Sequence, residues 1–148
     1  MKPSYKLSVT FSRWKNVPPP SDAERAALHN RYGLKTVRIR EEIFRSGECA
    51  LLEIANNDTR HLCFNALAVE YKAEGAWRHV VPKDWPWFSG WRWAPRTSRT
   101  IPVPRPAEVP RDAPWRIQFI CCPEGEADDR HKARMETPEI PPMGKISE

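Results

Sequence analysis

A chain of 148 residues, 40% of them hydrophobic, is long enough to bury one core without a metal or a disulfide framework. Its 16 Pro against 6 Gly exclude long helices and uninterrupted central strands over most of the length, because proline removes a backbone donor. The net charge of +5 is compatible with a nucleic acid or an anionic surface but demands neither, and no apolar run approaches the ~20 residues that span a bilayer.

Tyr5, Leu7, Val9 and Phe11 alternate with Lys6, Ser8, Thr10 and Ser12, the period-two pattern of a strand with one wet face. The opening Met1-Lys2-Pro3-Ser4 leads into this alternation and not into the continuous apolar run of an export signal, so a cytoplasmic location is expected. Val17-Pro18-Pro19-Pro20 ends the strand, and Ser21 or Asp22 is placed to cap one short helix near residues 21–32, closed by Gly33. The spacing predicts further strands over residues 34–44 and 49–55, followed by an Asn56-Asn57-Asp58-Thr59 turn. That turn also spells a glycosylation acceptor, which without export has no use.

Residues 62–72 form the next strand, with Leu67, Val69 and Tyr71 on one face, and a Gly75 loop of hairpin length returns through Trp77, His79 and Val81. Short strands follow at 100–103 and at 115–121, where Trp115, Ile117, Phe119 and Cys121 alternate. Cys122 then faces away from Cys121. About seven short strands with turn signals between them make the chain all-β, an antiparallel sandwich or barrel. The domain is expected over residues 1–122, and 123–148 reads as a loosely ordered tail, charged and Pro-containing with few apolar anchors.

Leu52-Glu53-Ile54-Ala55-Asn56, the Gly75-Ala76-Trp77 hairpin, the stretch from Pro95 to Val103 and the final Trp115-Arg116-Ile117 together resemble small immunoglobulin-like β-sandwich domains of uncharacterised bacterial proteins, over roughly residues 49–121. The resemblance implies an immunoglobulin-like antiparallel sandwich and carries over no catalytic residue. One departure is that Asp84 to Arg96 is richer in Trp than a connecting loop of such a domain.

The basic excess concentrates there. From Trp77 to Arg116 eight Lys and Arg face three Asp and Glu, while the last 32 residues are net acidic. Trp85, Trp87, Trp91, Arg92, Trp93, Arg96 and Arg99 are therefore the candidate contact residues, since indoles interleaved with guanidinium groups stack on flat ligands and anchor protein interfaces. Two readings stay open: the segment is an exposed binding surface, or its tryptophans plug one end of the sandwich with arginines stacked on them. A protein is the expected partner, with nucleic acid or a glycan as the alternative through the same segment.

His61 and Cys63 share a strand face but supply only two ligands, so no metal is expected, and no cofactor loop is visible. Adjacent carboxylates Glu41-Glu42 and Asp128-Asp129 do not share a proton, and no nucleophile turn occurs, so the expected protein is not an enzyme and has no catalytic residues. Cys49, Cys63, Cys121 and Cys122 form no Cys-x-x-Cys pair and are expected as free thiols. Partner identity and oligomeric state are open at this level.

Overall fold

A computed structural model describes residues 4–19, 21–32, 47–83, 91–126 and 128–143. In chain order they form β1 (Leu7–Val17), α1 (Asp22–Tyr32), β2 (Gly47–Asn56), β3 (Leu62–Ala73), β4 (Ala76–Val80), β5 (Trp91–Trp93), β6 (Thr97–Pro104), β7 (Trp115–Pro123), a 3-10 turn (Asp129–His131) and β8 (Ala133–Glu136). The expected strand over 34–44 lies outside the described residues. The strands build two antiparallel sheets, β1-β2-β6 and β4-β3-β7-β8, with the short β5 also paired to β3. The protein is an all-β sandwich. Among the described residues no helix is long and apolar enough to cross a membrane.

Alternation explains most of the packing. Along β7, Trp115, Ile117, Phe119 and Cys121 are buried while the residues between them are half-exposed, the period-two signature of a strand with one face on the core. They meet Leu52, Ile54, Ile101 and Val103 of the three-stranded sheet, with Leu62, Phe64 and Val69 of β3 beside them. In β1 the alternation slips once: Phe11 pairs with Leu52 and Arg13 with Leu51, leaving Ser12 as the extra residue of a bulge. The slip turns Trp14 inward, where its ring lies 6.1 Å from both Phe11 and Trp115.

A second bulge lies in β3 between Ala66 and Ala68, so Leu67 has no partner on β7 and does not share the register of Val69 and Tyr71. The β3–β4 hairpin closes on Ala73 and Ala76 through Glu74 and Gly75, both with left-handed φ (53° and 78°), as a two-residue turn of this twist requires. Beyond it, Val80 packs on the core and Val81 is 58% exposed, so Trp77, His79 and Val81 belong to the outer face of the hairpin. α1 starts on a Ser21 cap: the Ser21 hydroxyl accepts from Glu24 N–H (3.2 Å) and donates to the Glu24 carboxylate (3.1 Å). Residues 22–27 are all exposed, in line with the narrow apolar stripe of the helix.

The expected loose tail is corrected by the fold. β8 pairs with β7 from Gln118↔Glu136 to Cys121↔Ala133, and Ile140 bridges to Trp115 and is fully buried. Ile140 and Trp115 exchange both backbone hydrogen bonds (2.7 and 3.0 Å), and Met143 is buried as well. The sandwich therefore extends to residue 143. Three widely spaced apolar anchors suffice: Met135 and Ile140 sit on the free edge that β7 offers, and Met143 is held by its N–H donating to the Arg111 carbonyl (3.0 Å).

Candidate functional site

One pole of the sandwich is fastened by a single buried amide. Asn56 ends β2 and is fully buried; its Nδ2 donates to the carbonyls of Arg60 (2.9 Å) and Trp93 (2.8 Å). Its Oδ1 accepts from Asp58 N–H (2.9 Å), the Asx turn that the sequence signals, and its own carbonyl accepts from Arg96 N–H (2.7 Å). The β2–β3 and β5–β6 connections are thus tied together. Strand register gathers the same ends, since Asn56 pairs with Leu7 and Thr97, and Leu62 pairs with Trp93 and Pro123.

Asp58, also buried, accepts from Lys6 N–H (3.2 Å), Arg60 N–H (3.2 Å) and the Arg60 guanidinium (2.9 and 3.2 Å). The side-chain hydrogen bonds from Arg60 hold its carboxyl well below the usual carboxylate range, outweighing burial, which pushes the other way. The Arg60 guanidinium also lies 5.0 Å over the Tyr5 ring, and Tyr5 donates its hydroxyl to the carbonyl of His131. This polar corner holds the chain entering β1 and the chain entering β8.

Of the residues singled out in sequence, Trp93 is 1% exposed. Its indole N–H donates to the Ile54 carbonyl (3.0 Å) and its ring packs 5.3 Å from Phe64. Trp93 is therefore corrected from contact residue to core. The indole dipole is satisfied inside the sandwich, which removes the cost of burying it. Arg99 is exposed, with its guanidinium 4.7 Å over the Trp93 ring, so it closes the pole over that indole. Arg92 has a side chain 72% exposed and pairs with Glu124 (2.9 Å), and Arg96 is exposed in a left-handed backbone (φ 57°) at the β5–β6 turn. Trp85 and Trp87 lie outside the described residues, as does the side chain of Trp91.

Sequence reasoning missed two contributors. Arg60 joins Arg92, Arg96 and Arg99 at the pole, brought there by the Asn56 turn. Trp77 stands half-buried on the outer face of the five-stranded sheet, flanked by Arg116 (4.0 Å) and Lys72 (6.0 Å). The strict alternation of Trp77 and His79 opposite Lys72 and Glu70 was the available signal for that face. His61 is exposed, 3.9 Å from Glu124, and among the described residues no three His, Cys, Asp or Glu side chains gather as a metal set. No protein-family model, curated protein or solved structure matches the chain.

Proposed function

We propose that the protein is a non-catalytic interaction module of the immunoglobulin-like class, working in the cytoplasm, which docks a protein partner on the pole where β5 turns into β6. The observation that carries this reading is the arginine set Arg60, Arg92, Arg96 and Arg99 mounted around a buried anchor, Trp93 held by Asn56. Arginine is enriched at protein interfaces, where its planar donors and stackable face serve together. A rigid base keeps the ordering cost of binding low. The strand order supports the class: in immunoglobulin-like sandwiches strands A, B and E share one sheet and C, F and G the other, as β1, β2 and β6 stand opposite β3, β7 and β8. Four free thiols, two of them buried, support a reducing compartment.

Support for a binding and not a catalytic role comes from the causes of the shifted groups. Asp58 is lowered by its arginine partner, and burial pushes Cys49 and Cys121 up to about 12; each is a consequence of packing. The test is an affinity capture with the full chain beside an Arg92→Glu, Arg96→Glu variant whose circular dichroism matches wild type. Proteins retained by the wild type and lost by the variant are expected. An unchanged set places the contact elsewhere, and retention abolished by nuclease and by moderate salt assigns the pole to nucleic acid instead.

A further inference from the structure

Cys63 on β3 and Cys122 on β7 are direct partners in the central ladder of the five-stranded sheet. Leu62 and Phe64 on one strand and Cys121 on the other are buried, so the two cysteines share the opposite, outer face, where both are partly exposed. The ladder also sets their spacing. Two residues further along, Glu124 N–H donates to the His61 carbonyl (2.9 Å), and hydrogen-bonded pairs recur at every second position, so Cys63 and Cys122 are such a pair. Cα atoms of hydrogen-bonded antiparallel partners lie ~5.5 Å apart, within the roughly 4.4–6.8 Å over which disulfides close, while their Cβ atoms stand wider than the roughly 3.5–4.5 Å of a relaxed disulfide, so closing the bond draws the two strands together under strain. Neither remaining cysteine competes, since Cys49 lies on β2 of the other sheet and Cys121 points into the core.

We propose that Cys63 and Cys122 are a reversible oxidation site, a cross-strand dithiol closed to a disulfide by low-molecular-weight disulfides of the glutathione class. The thiolate of one cysteine attacks a sulfur of oxidised glutathione and releases one glutathione thiolate. The second cysteine, its proton lost to solvent, attacks the protein sulfur of that mixed disulfide and releases the other. Two protein thiols are oxidised to one disulfide, and one glutathione disulfide is reduced to two thiols. A bond here staples the two central strands of the sheet and leaves the core untouched. Its partly exposed position and the strain of a hydrogen-bonded pair make it readily reducible, the property of a regulatory disulfide more than of a permanent one.

The full chain is equilibrated in glutathione buffers of increasing oxidised fraction, acid-quenched, alkylated and weighed intact. The expected result is loss of the mass of two hydrogens with no glutathione retained, full recovery on adding reduced glutathione, and a rise in Tm of several degrees for the oxidised form. Cys63→Ser and Cys122→Ser, each folded by circular dichroism, are expected to stop at a single glutathione adduct. A wild type that accumulates stable glutathione adducts, or stays fully reduced, overturns the proposal. So does a disulfide that persists in Cys122→Ser, because it then involves Cys121 or Cys49.

Discussion

Trp93 and Trp77 belong to one sheet and each lies under an arginine, yet one is core and the other stands half-buried on the outer face. Arg99 pairs across the ladder with Ile54, an inward position, so its guanidinium closes over the buried Trp93 ring from the pole. Arg116 pairs with Glu70, an outward position; its guanidinium lies 4.0 Å over the Trp77 ring and is held by Glu70 (2.9 Å) and Glu136 (3.4 Å), with Gln118 also donating to Glu70 (2.9 Å). Indole beside guanidinium is therefore no mark of a surface. The two differ in strand face, and at Trp93 the buried indole N–H is satisfied by the Ile54 carbonyl.

The largest effect expected from this contrast is on folding. Trp93→Ala removes a buried ring and leaves a cavity, at a cost of ~3–5 kcal/mol, whereas Trp77→Ala loses mainly a half-exposed stack, ~1 kcal/mol or less. Urea unfolding of the two variants measures both. Equal costs would mean that Trp77 is packed as tightly as Trp93, and the distinction between the two sites would fail. Next in size, Asn56→Ala removes the side-chain hydrogen bonds to the Arg60 and Trp93 carbonyls and from the Asp58 N–H at a buried site, for about 2–3 kcal/mol. Since Asn56 holds the Trp93 backbone, the same variant is expected to raise acrylamide quenching of a protected tryptophan population. Unchanged quenching would show that Trp93 needs no help from the turn.

Smaller again, Arg116→Gln breaks a half-buried pair with Glu70 and one stack, about 1 kcal/mol. Arg99→Gln gives up a stack alone, roughly 0.5–1 kcal/mol, and is expected to increase quenching of Trp93, which Arg116→Gln leaves unchanged. If both variants alter tryptophan quenching to the same degree, the two arginines cover equally hidden rings.

Much of this frame was legible in the chain. β1, β2, β3, β7 and the capped helix follow from alternation, proline stops and the Ser21-x-x-Glu24 pattern, which are local signals. What stayed hidden depends on partners far along the chain. β5 has three residues, too few to show a period, and exists because β3 leaves its edge open beside residues 62–64. β8 and Ile140 look like tail because their anchors are sparse, and only the free edge of β7 makes sparse anchors enough. The bulge at Leu67 erases the expected face of that residue, since one inserted residue inverts a period of two. The candidate pole was half legible: its arginines stand out by composition, but Arg60 joins them only through the hydrogen bonds of Asn56, and the burial of Trp93 rests on a carbonyl 39 positions away.

The mildest perturbation is pH, and it separates the pole from the outer face without touching an aromatic ring. Asp58 is lowered in the folded protein, chiefly by the Arg60 side chain, relative to ~3.9 in an unfolded chain. Below that value the unfolded state takes up a proton that the folded state refuses, so stability falls as pH falls. The contribution of Asp58 is complete above about pH 5 and is lost progressively below about pH 4; because the Arg60 side chain is 50% exposed, solvent screening limits it to about 1 kcal/mol. Asp58→Asn is expected to be less stable than wild type at neutral pH and to lose less on acidification, so the two unfolding midpoints converge toward pH 2.5. Parallel pH dependences would mean that Asp58 and Arg60 are no better coupled than an ordinary surface pair, and that the Asn56 amide alone holds the pole together.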